Sequence, residues 1–519
     1  MTGRRQSNLG YFNRAAAAVH PGRTAIVDLS RSPAAEITHG ELDARMDRVA
    51  AALAGRGLAP GDRVLLAMAN RFEFVEAFFG AMRAGLVPVP LNIRLGADTI
   101  RFVVGDSACK AAVISPGAHP GIEAIAEEAG LAPRLSVAPA PAGWEDYEAV
   151  LAQADPGAFE PPPIAPRQVA FLPYTSGSTG RPKGVLLAHD GMLWAIGSSQ
   201  RHWPASADDR ALIAGPLYHK NAMRVSVKPK LHVGASVAIL PRFEPRLFLR
   251  ALSEHRCTEA GGVPAMYRMM LAERDLLDSL DFSALKMLEM GSAVVGAELI
   301  AAVENAFGAS VIEAYGLTEG GGPLREAVDG RPAPRGSCGL AAPEVGIKLM
   351  SERGEEPEEG ELWVRSPAVL VGYNNRPDLD AERIRDGWLR TGDLFRRDAE
   401  GFFYFQGRTD DQFSCGGENI NPKEVELLLV QHPDVIDAVV APVPHALKDL
   451  APAALVTLRS GRQADEAALK AFALERGPAY AHPRHIFAVD ELPVGGTGKI
   501  DRKAVRDRLL ALIADGRRQ

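Results

Sequence analysis

Helical and strand-like hydrophobic spacing alternates along residues 41–110, and this alternation leaves few fold classes open to the chain. Glu41–Gly55 and Phe72–Gly85 have the spacing of amphipathic helices, whereas Val64–Met68 and Gly85–Pro90 are short apolar runs typical of buried strands. Such alternation favours an α/β fold with mostly parallel strands. The Ala- and Pro-rich stretch Pro139–Pro166 is predicted to be an irregular surface connection.

The pattern after this connection predicts three further regions. Strand-like runs resume at Val169–Tyr174, Ala211–Ala214 and Ala235–Leu240. Residues 340–406 predict a small β-rich subdomain with strands at Gly346–Met350, Gly360–Arg365 and Gly401–Gln406. From about Thr409 a compact region follows, with a helix at Lys423–Gln431, a strand at Val435–Val443 and a terminal helix around Arg502–Ala514.

Charge and cysteine usage narrow the class of protein. The 519 residues carry a net charge of −7, which argues against a partner that needs a strongly basic surface, such as nucleic acid or an anionic membrane. The N-terminal residues lack the apolar block of a signal peptide, and no apolar run approaches the roughly 18 residues of a membrane helix. We therefore expect a soluble cytoplasmic protein. Neither a disulfide framework nor a structural zinc site is expected, since no CxxC pair occurs among Cys109, Cys257, Cys338 and Cys415.

Residues 169–184 (VAFLPYTSGSTGRPKG) form a strand that runs directly into a glycine-rich loop. Glycines let successive backbone amides turn toward one anion, hydroxyls donate to phosphate oxygens, and Lys183 can neutralise charge. A flexible linker would need neither the strand nor the Pro-Lys-Gly ending. The P-loop of kinases and ATPases is excluded, because its lysine is followed by Ser or Thr, whereas Lys183 precedes Gly184. The predicted phosphate-binding residues are Thr175, Ser176, Gly177, Ser178, Thr179, Gly180 and Lys183.

The loop TSGSTGRPKG closely resembles that of the adenylate-forming enzymes, which include acyl-CoA synthetases, peptide-synthetase adenylation domains and luciferases. Matching motifs follow in that family's order over nearly the whole chain, at Pro216–His219 (PLYH), Tyr315–Glu319 (YGLTE), Gly360–Arg365 (GELWVR), Thr391–Asp393 (TGD), 407–408, 416–422 and 498–499. The resemblance implies a large N-terminal domain, residues 1–408, with two α/β subdomains and a small β subdomain. A small, mobile α+β domain would follow at residues 409–519.

The resemblance also implies the chemistry. A carboxylate attacks the α-phosphate of ATP, and CoA then takes the acyl group from the acyl-adenylate. Because one anion attacks another, the site must suppress repulsion, and Mg²⁺ is expected on the nucleotide phosphates. Glu319 matches the family's magnesium residue, and Thr318 would contact the α-phosphate. The remaining nucleotide contacts are expected from Tyr315 and Gly316 beside adenine and from Asp393 and Arg408 at the ribose, where a carboxylate matches a vicinal diol.

Lys499, in the glycine-rich loop PVGGTGKIDRK, is the predicted catalytic lysine, which would bridge the carboxylate and the α-phosphate. Lys503 nearby is interpreted as a solvated side chain. Rotation about a hinge at Asp410 would then admit the thiol. The same resemblance assigns the CoA tunnel to Phe413, Ser414, Gly416 and Gly417, and a gating position to His219, for which a buried structural histidine is the alternative.

The acid-binding pocket is expected among His219, Asn221, Val263, Met266, Met290, Gly291, Ser292, Ala293 and Gly320. Methionines offer adaptable apolar walls, and Gly320, Gly321 and Gly322 would leave room for a ring or an alkyl chain. Lys220 and Arg224 are unusual in this apolar stretch. We hypothesise that one of them contacts the CoA phosphates or a polar group on the acid.

Three functions are weighed against one another. The first is an acid–CoA ligase that uses ATP, CoA and Mg²⁺ and releases AMP and pyrophosphate. The second is a stand-alone adenylation enzyme that delivers the acyl group to a separate carrier protein, since about twenty residues after Lys499 are too few for a fused carrier domain. The third, a non-catalytic nucleotide-binding module, should have lost Lys499 or Glu319, and both are present. The sequence leaves open which acid is used and whether the chain forms a homodimer.

Overall fold

The computed structural model describes residues 5–175, 181–291, 297–325, 331–351, 353–415, 418–445, 448–459, 461–462, 465–479, 481–495 and 499–516. The chain divides into two compact units: Met1–Ile347 with Val364–Arg390, and Lys348–Trp363 with Thr391–Gln519. The boundary predicted between residues 408 and 409 stays a prediction. Within the described ranges, no helix has the length and apolar character needed to span a membrane.

The largest sheet of the first unit has seven strands, of which all but the last run parallel. One face is covered by an apolar cluster in which Leu288 and Met290 pack with Phe248 and Tyr267. Side chains alternate along a strand, so Glu289 projects from the opposite face. The spatial order of the strands is Ser310–Ala314, Met287–Gly291, Glu259–Gly262, Arg210–Ile213, Ser236–Ile239, Thr24–Asp28 and Ala35–Thr38.

A second sheet of five parallel strands confirms the α/β class. The predicted helix at Glu41–Gly55 is confirmed and begins two residues earlier, at His39. It begins there because Thr38 and Glu41 form a capping box, in which each side chain accepts a hydrogen bond from the other's backbone amide. In spatial order, the strands are Val87–Pro90, Arg63–Ala67, Cys109–Ile114, Arg134–Ser136 and Glu145–Asp146.

The prediction of an irregular connection at Pro139–Pro166 is wrong in part. Tyr147–Gln153 forms a helix whose N-cap, Asp146, accepts a hydrogen bond from the Ala149 amide at 2.8 Å. Tyr147 is fully buried, so this helix contributes to the core rather than merely crossing the surface. The surrounding Ala- and Pro-rich composition hid a helix of only seven residues.

A small antiparallel sheet and the remaining helices complete the first unit. The sheet pairs Lys183–Ala188 with Val169–Phe171, Tyr174–Thr175 and Gly372–Tyr373. Two further short strand pairs are Leu324–Arg325 with Leu340–Ala341, and Ile384–Arg385 with Trp388–Leu389. The other helices are Leu9–Tyr11 and Pro156–Ala158 (3₁₀), Met223–Val227 (π), and the α-helices Arg14–Val19, Phe72–Arg83, Ala97–Ser107, Ile122–Glu128, His189–His202, Lys220–Ala222, Lys228–Val233, Pro245–Glu254, Pro264–Ala272, Arg274–Leu277, Ala297–Phe307 and Pro377–Arg383.

The second unit is built on antiparallel pairs and one mixed sheet. The chain passes between the units within three strands, Gly346–Met350, Glu359–Arg365 and Trp388–Arg397. Trp388–Arg397 pairs with Phe403–Arg408, and Phe413–Cys415 forms a hairpin with Glu418–Ile420. The mixed sheet contains Val435–His445, Asp449–Leu458 and His485–Ala488. Its two faces carry separate apolar clusters. The helices of this unit are Thr409–Asp411 (3₁₀), Pro422–Val430, Glu466–Arg476 and Arg502–Gly516.

Candidate active site

The strands that flank the predicted phosphate loop are paired in the first unit. Thr175 lies opposite Lys183, so the loop leaves and re-enters the same sheet at adjacent positions. Lys183 is half-buried at the start of its strand. Ser176, Gly177, Ser178, Thr179 and Gly180 lie outside the described residues, and their role stays a prediction.

Asp106 ties the first of these strands to a distant segment. Its carboxylate accepts a hydrogen bond from the Tyr174 hydroxyl at 2.5 Å, and its carbonyl accepts one from Asn374 Nδ2 at 2.8 Å. Asn374 also packs beside Gly184, where a Cβ atom would stand 2.9 Å from the Cβ of Asn374. Three chain segments therefore hold the base of the loop.

The YGLTE motif contains a tight turn that presents Thr318 and Glu319. Leu317 and Gly321 exchange backbone hydrogen bonds of 2.8 and 3.0 Å, which close the turn. The carbonyl of Glu319 accepts a hydrogen bond from the Leu370 amide at 2.7 Å. The carbonyl of Thr318 accepts one from Lys220 Nζ. The turn is thus supported from two sides, which leaves the positions of Thr318 and Glu319 well defined.

Lys220, Arg224 and Lys228 form a row of buried cations on consecutive turns of the segment 220–233. Burial holds the pKa of Lys220 well below its usual value; Lys228 and Arg224 lower it further, and Glu319 opposes them. Burial also lowers the pKa of Lys228 to about 7, and it lowers the pKa of Arg224 against the opposing effect of Glu289. Cations are seldom buried without compensating anions, so this row is unusual for a protein core.

The glycine-rich turn does not leave the open space that the sequence predicted. A Cβ atom on Gly322 would stand 2.4 Å from Arg224 Nη1, and one on Gly316 would stand 3.2 Å from Arg224 Nη2. At Gly320 the nearest atoms belong to Leu389 and Leu317, at 3.1 and 3.3 Å. The guanidinium of Arg224 therefore occupies the space that the glycines at 316 and 322 provide.

The other predicted pocket residues are dispersed around the same strands. His219 caps the segment Lys220–Ala222, and Asn221 accepts a hydrogen bond from Arg224 Nη2 at 3.1 Å. Met290 is fully buried in the apolar cluster on the far face of its strand. Val263, Met266 and Gly291 are half-buried, with Met266 against Gly262, and Gly320 is buried. Ser292 and Ala293 lie outside the described residues.

In the second unit, Asp393 and Arg408 face each other across two antiparallel strands. Arg408 Nη1 donates to Asp393 Oδ1 at 2.9 Å, and the Asp393 amide donates to Thr391 Oγ1 at 3.1 Å. Asp393 is buried. The two residues predicted to bind the ribose therefore form one charged pair.

Asp410 lies in the 3₁₀ turn Thr409–Asp411, 3.6 Å from Arg408 Nη2. Phe413 is buried in an apolar cluster, and Ser414 beside it is exposed. Gly416 and Gly417 lie outside the described residues.

Lys499 is exposed in a loop closed by a bridge between Val494 and Ile500. The Lys499 carbonyl accepts a hydrogen bond from the Gly495 amide at 2.7 Å. Lys499, Asp393 and Arg408 belong to the second unit, whereas Thr318 and Glu319 belong to the first.

The donor set fits magnesium held mainly by a nucleotide. Among the described residues, no group of three or more His, Cys, Asp or Glu side chains could form a metal cage. A single carboxylate, Glu319, on a braced turn matches the way Mg²⁺ is usually bound, through one or two carboxylates and the phosphates of its substrate.

Sequence reasoning missed Glu289 and Arg325, which lie beside Arg224. Arg224 Nη2 is 3.7 Å from Glu289 Oε1, and Arg325 is buried over the ring of Trp203. Burial raises the pKa of Glu289, and the two arginines oppose that shift. A glutamate between Leu288 and Met290, in an otherwise apolar strand, was the signal that could have pointed to this cluster.

Comparisons with known proteins identify the family to which the chain belongs. The model of the AMP-binding enzyme family matches residues 13–374, and that of the AMP-binding enzyme C-terminal domain matches residues 424–499. The chain belongs to the AMP-binding enzyme family, with a large N-terminal and a small C-terminal domain.

The relatives are CoA ligases that align over nearly their whole length. An indoleacetate–CoA ligase of Aromatoleum aromaticum is 32% identical over 497 residues, covering 94% of this chain and 96% of the relative. A feruloyl-CoA synthase of an Amycolatopsis species is 33% identical over 510 residues, covering 97% and 99%. The crystal structure of the anthranilate CoA ligase AuaEII in complex with anthranoyl-AMP superimposes with a TM-score of 0.87 at 26% identity, covering 97% and 98%.

Proposed function

We propose that the protein is an ATP- and CoA-dependent acid–CoA ligase. A carboxylate oxygen attacks the α-phosphorus of ATP, the bond to pyrophosphate breaks, and an acyl-adenylate forms. The CoA sulfur then attacks the acyl carbon, and AMP leaves. The observation that carries this proposal is the braced turn at Thr318 and Glu319, together with similarity to CoA ligases over at least 94% of the chain.

The residues of the first unit would bind and orient the reacting groups. Thr318 would donate a hydrogen bond to the α-phosphate, and the loop that begins at Thr175 and ends at Lys183 would hold the other phosphates. Glu319 would hold Mg²⁺, which neutralises charge on the phosphates when bound. Lys220 fixes this turn through the Thr318 carbonyl, so Thr318 and Glu319 are preorganised for the transition state.

The residues of the second unit would complete the site. Asp393 would accept hydrogen bonds from the ribose hydroxyls, supported by its pairing with Arg408. Lys499 would neutralise the attacking carboxylate and the α-phosphate. The chain after Asp410 would change its orientation between the two half-reactions, so that Phe413 and Ser414 then contact the pantetheine. ATP and CoA are both cytoplasmic substrates, which supports the cytoplasm as the place of action.

The test separates the two half-reactions in a Lys499→Ala variant. The rate of acyl-adenylate formation should fall at least about 100-fold. This rate is measured as acid-dependent pyrophosphate release over a panel of carboxylic acids. Thioester formation from supplied acyl-adenylate and CoA should stay within a few fold of the wild type. Lys503→Ala, which removes an exposed lysine four residues away, is the matched control and should retain both half-reactions.

Normal adenylation in Lys499→Ala would refute the assignment of the lysine. Acid-dependent AMP release with a phosphopantetheinylated carrier protein, but not with CoA, would refute the ligase and favour the stand-alone adenylation enzyme.

A further inference from the structure

Two guanidinium groups converge on one point beneath the turn of the YGLTE motif. Arg224 Nη1 and Arg325 Nη1 lie 2.4 and 3.1 Å from the position that a Cβ atom would occupy on Gly322. They come from separate elements, since Arg224 lies in the π-helical segment Met223–Val227 and Arg325 in the strand Leu324–Arg325. Like charges at such short range repel, and burial strengthens the repulsion because the surroundings screen it poorly.

The described residues compensate this charge only in part. Arg224, Arg325, Lys220 and Lys228 are all buried or nearly so, and the carboxylate at Arg224 is Glu289, at the long distance of 3.7 Å. Glu259 forms an ion pair with Lys230 at 2.7 Å, so its charge is neutralised there and does not compensate the arginines. The two guanidinium groups of Arg224 and Arg325 therefore share the carboxylate of Glu289 as a common counter-charge, which Glu344 supplements at Arg325.

Arg325 also has unused hydrogen-bonding capacity. Its side chain is 5% exposed, and among the described residues its Nε atom has no hydrogen-bond partner. Burial and the neighbouring Arg224 lower the pKa of Arg325 to about 10, against the opposing effects of Glu289 and Glu344. A buried donor without a partner loses free energy that a bound acceptor would restore.

We propose that Arg224 and Arg325 bind a second anionic group on the acid, so that the substrate is a dicarboxylic acid or a similar doubly anionic acid. This inference rests on the proposed function and goes beyond it by naming the class of acid. The reacting carboxylate belongs at Thr318 and Glu319. Arg224 instead contacts the loop at Gly316 and Gly322, so its anion is a different group on the same molecule. Asn221 and Glu289 orient the guanidinium for this contact.

The relatives are named for acids of both kinds: indoleacetate and ferulate carry one carboxylate, whereas a sulfoacetate–CoA ligase of Cupriavidus necator, 32% identical over 472 residues, is named for an acid with two anionic groups. Overall identities of 26–33% leave room for the acid site to differ. The site would discriminate between acids by charge rather than by size. A site that bonds a charged group of its substrate rejects an analogue that lacks this group.

The experiment compares acids in pairs that differ by one charge at nearly constant shape: succinate with butyrate, and isophthalate with 3-methylbenzoate. The measured quantity is kcat/KM for pyrophosphate release with ATP and CoA. The wild type should prefer the doubly anionic member of at least one pair by tenfold or more. Arg224→Met should lose tenfold or more on that member and change little on its singly charged partner. Arg224→Lys should retain part of the preference.

Arg246→Met is the matched control, because it removes a partly exposed arginine that pairs with Glu273 and Asp275 outside the site. It should leave the preference unchanged. Arg325→Gln provides a second test if Arg224→Met fails to fold, as judged by its melting temperature and circular dichroism.

A wild-type preference for the singly charged member of both pairs would overturn this inference and leave the ligase assignment intact. An equal loss on both members of a pair in Arg224→Met would do the same, since it would make the arginine purely structural. Absence of CoA-dependent turnover with every acid in these pairs and in the wider panel would overturn the proposed function itself, and this inference with it.

Discussion

Lys220 Nζ donates a hydrogen bond to the carbonyl oxygen of Thr318, although the two residues are 98 positions apart in the chain. Lys220 therefore supports the turn that carries Glu319. We predict that Lys220→Met lowers the kcat of acyl-adenylate formation about 10- to 100-fold, because the turn loses one of its two supports. Pyrophosphate release measured with saturating ATP and acid checks this.

The melting temperature of Lys220→Met should fall much less than the activity does. The variant removes a buried cation from beside Lys228 and Arg224, and the relief of this repulsion offsets the lost hydrogen bond. Lys228→Met is the matched control: its ammonium contacts Met192 Sδ at 3.8 Å and not the turn. It should retain more adenylation activity than Lys220→Met. Equal activity of the wild type and Lys220→Met would show that Lys220 has no role in acyl-adenylate formation.

Tyr174→Phe should weaken ATP binding. The variant removes the hydroxyl that donates to Asp106 at 2.5 Å and so loosens the strand that leads into the phosphate loop. We expect the KM for ATP to rise about fivefold with a smaller change in kcat, and the free energy of unfolding to fall by about 1–2 kcal/mol. Initial rates at varied ATP concentration and urea denaturation measure the two effects. Tyr404→Phe removes a similar Tyr–Asp hydrogen bond, to Asp398 at 3.0 Å, and should leave the KM for ATP unchanged.

Gly407→Ala should destabilise the second unit. Gly407 has a φ of +139°, and a Cβ atom there would stand 2.6 Å from Asn421 Oδ1. Asn421 cannot easily move, since it caps the helix Pro422–Val430 and donates to the Gln406 carbonyl at 2.7 Å. We expect a loss of about 2–3 kcal/mol in the free energy of unfolding, measured by urea denaturation. Gly461→Ala, with a φ of +78° and no atom of the described residues within 4 Å of its Cβ position, should cost about 1 kcal/mol. Equal losses in the two variants would contradict the steric argument.

The stability of the protein should fall as the pH falls from about 6.5 to about 4 because of His189. Burial lowers the pKa of His189 to about 4, with Asp190 opposing, and its Nδ1 accepts a hydrogen bond from the Leu9 amide at 3.0 Å. In this interval the unfolded chain binds a proton that the folded protein does not, so acid favours unfolding by up to about 1.4 kcal/mol per pH unit. His189→Gln should flatten this part of the curve, as measured by urea denaturation at several pH values. An unchanged slope in the variant would show that other groups cause the acid sensitivity.

Local patterns predicted the regular elements well. The strand at Gly346–Met350 has the predicted bounds, and the predicted helix at Phe72–Gly85 is observed at Phe72–Arg83. Short elements in biased composition were harder to predict: the helix Tyr147–Gln153 has only about two turns and lies inside an Ala- and Pro-rich stretch. Amphipathic spacing is therefore informative only where it runs for several turns.

Local motifs predict some residues of the candidate site, whereas others are brought together only by the fold. Motifs predict roles for Thr318, Glu319 and Lys499, because phosphate and carboxylate chemistry needs such groups in a recognisable local context; these roles stay predictions. The partnership of Arg224, Glu289 and Arg325 could not be predicted, because it arises from three elements far apart in the chain. The sequence predicted that Gly320, Gly321 and Gly322 leave space for a substrate, and the structure places the guanidinium of the distant Arg224 beside Gly322.

The π-helical segment Met223–Val227 is a place where a one-residue deletion would reorient Lys220. A π turn holds one residue more than an α turn, and it is tolerated mainly where function repays its poorer geometry. Loss of a single codon from it would rotate Lys220 by about 100° relative to the Lys230–Glu259 anchor without touching any strand. Homologues with and without that codon could thus diverge in the acids they accept while sharing one scaffold.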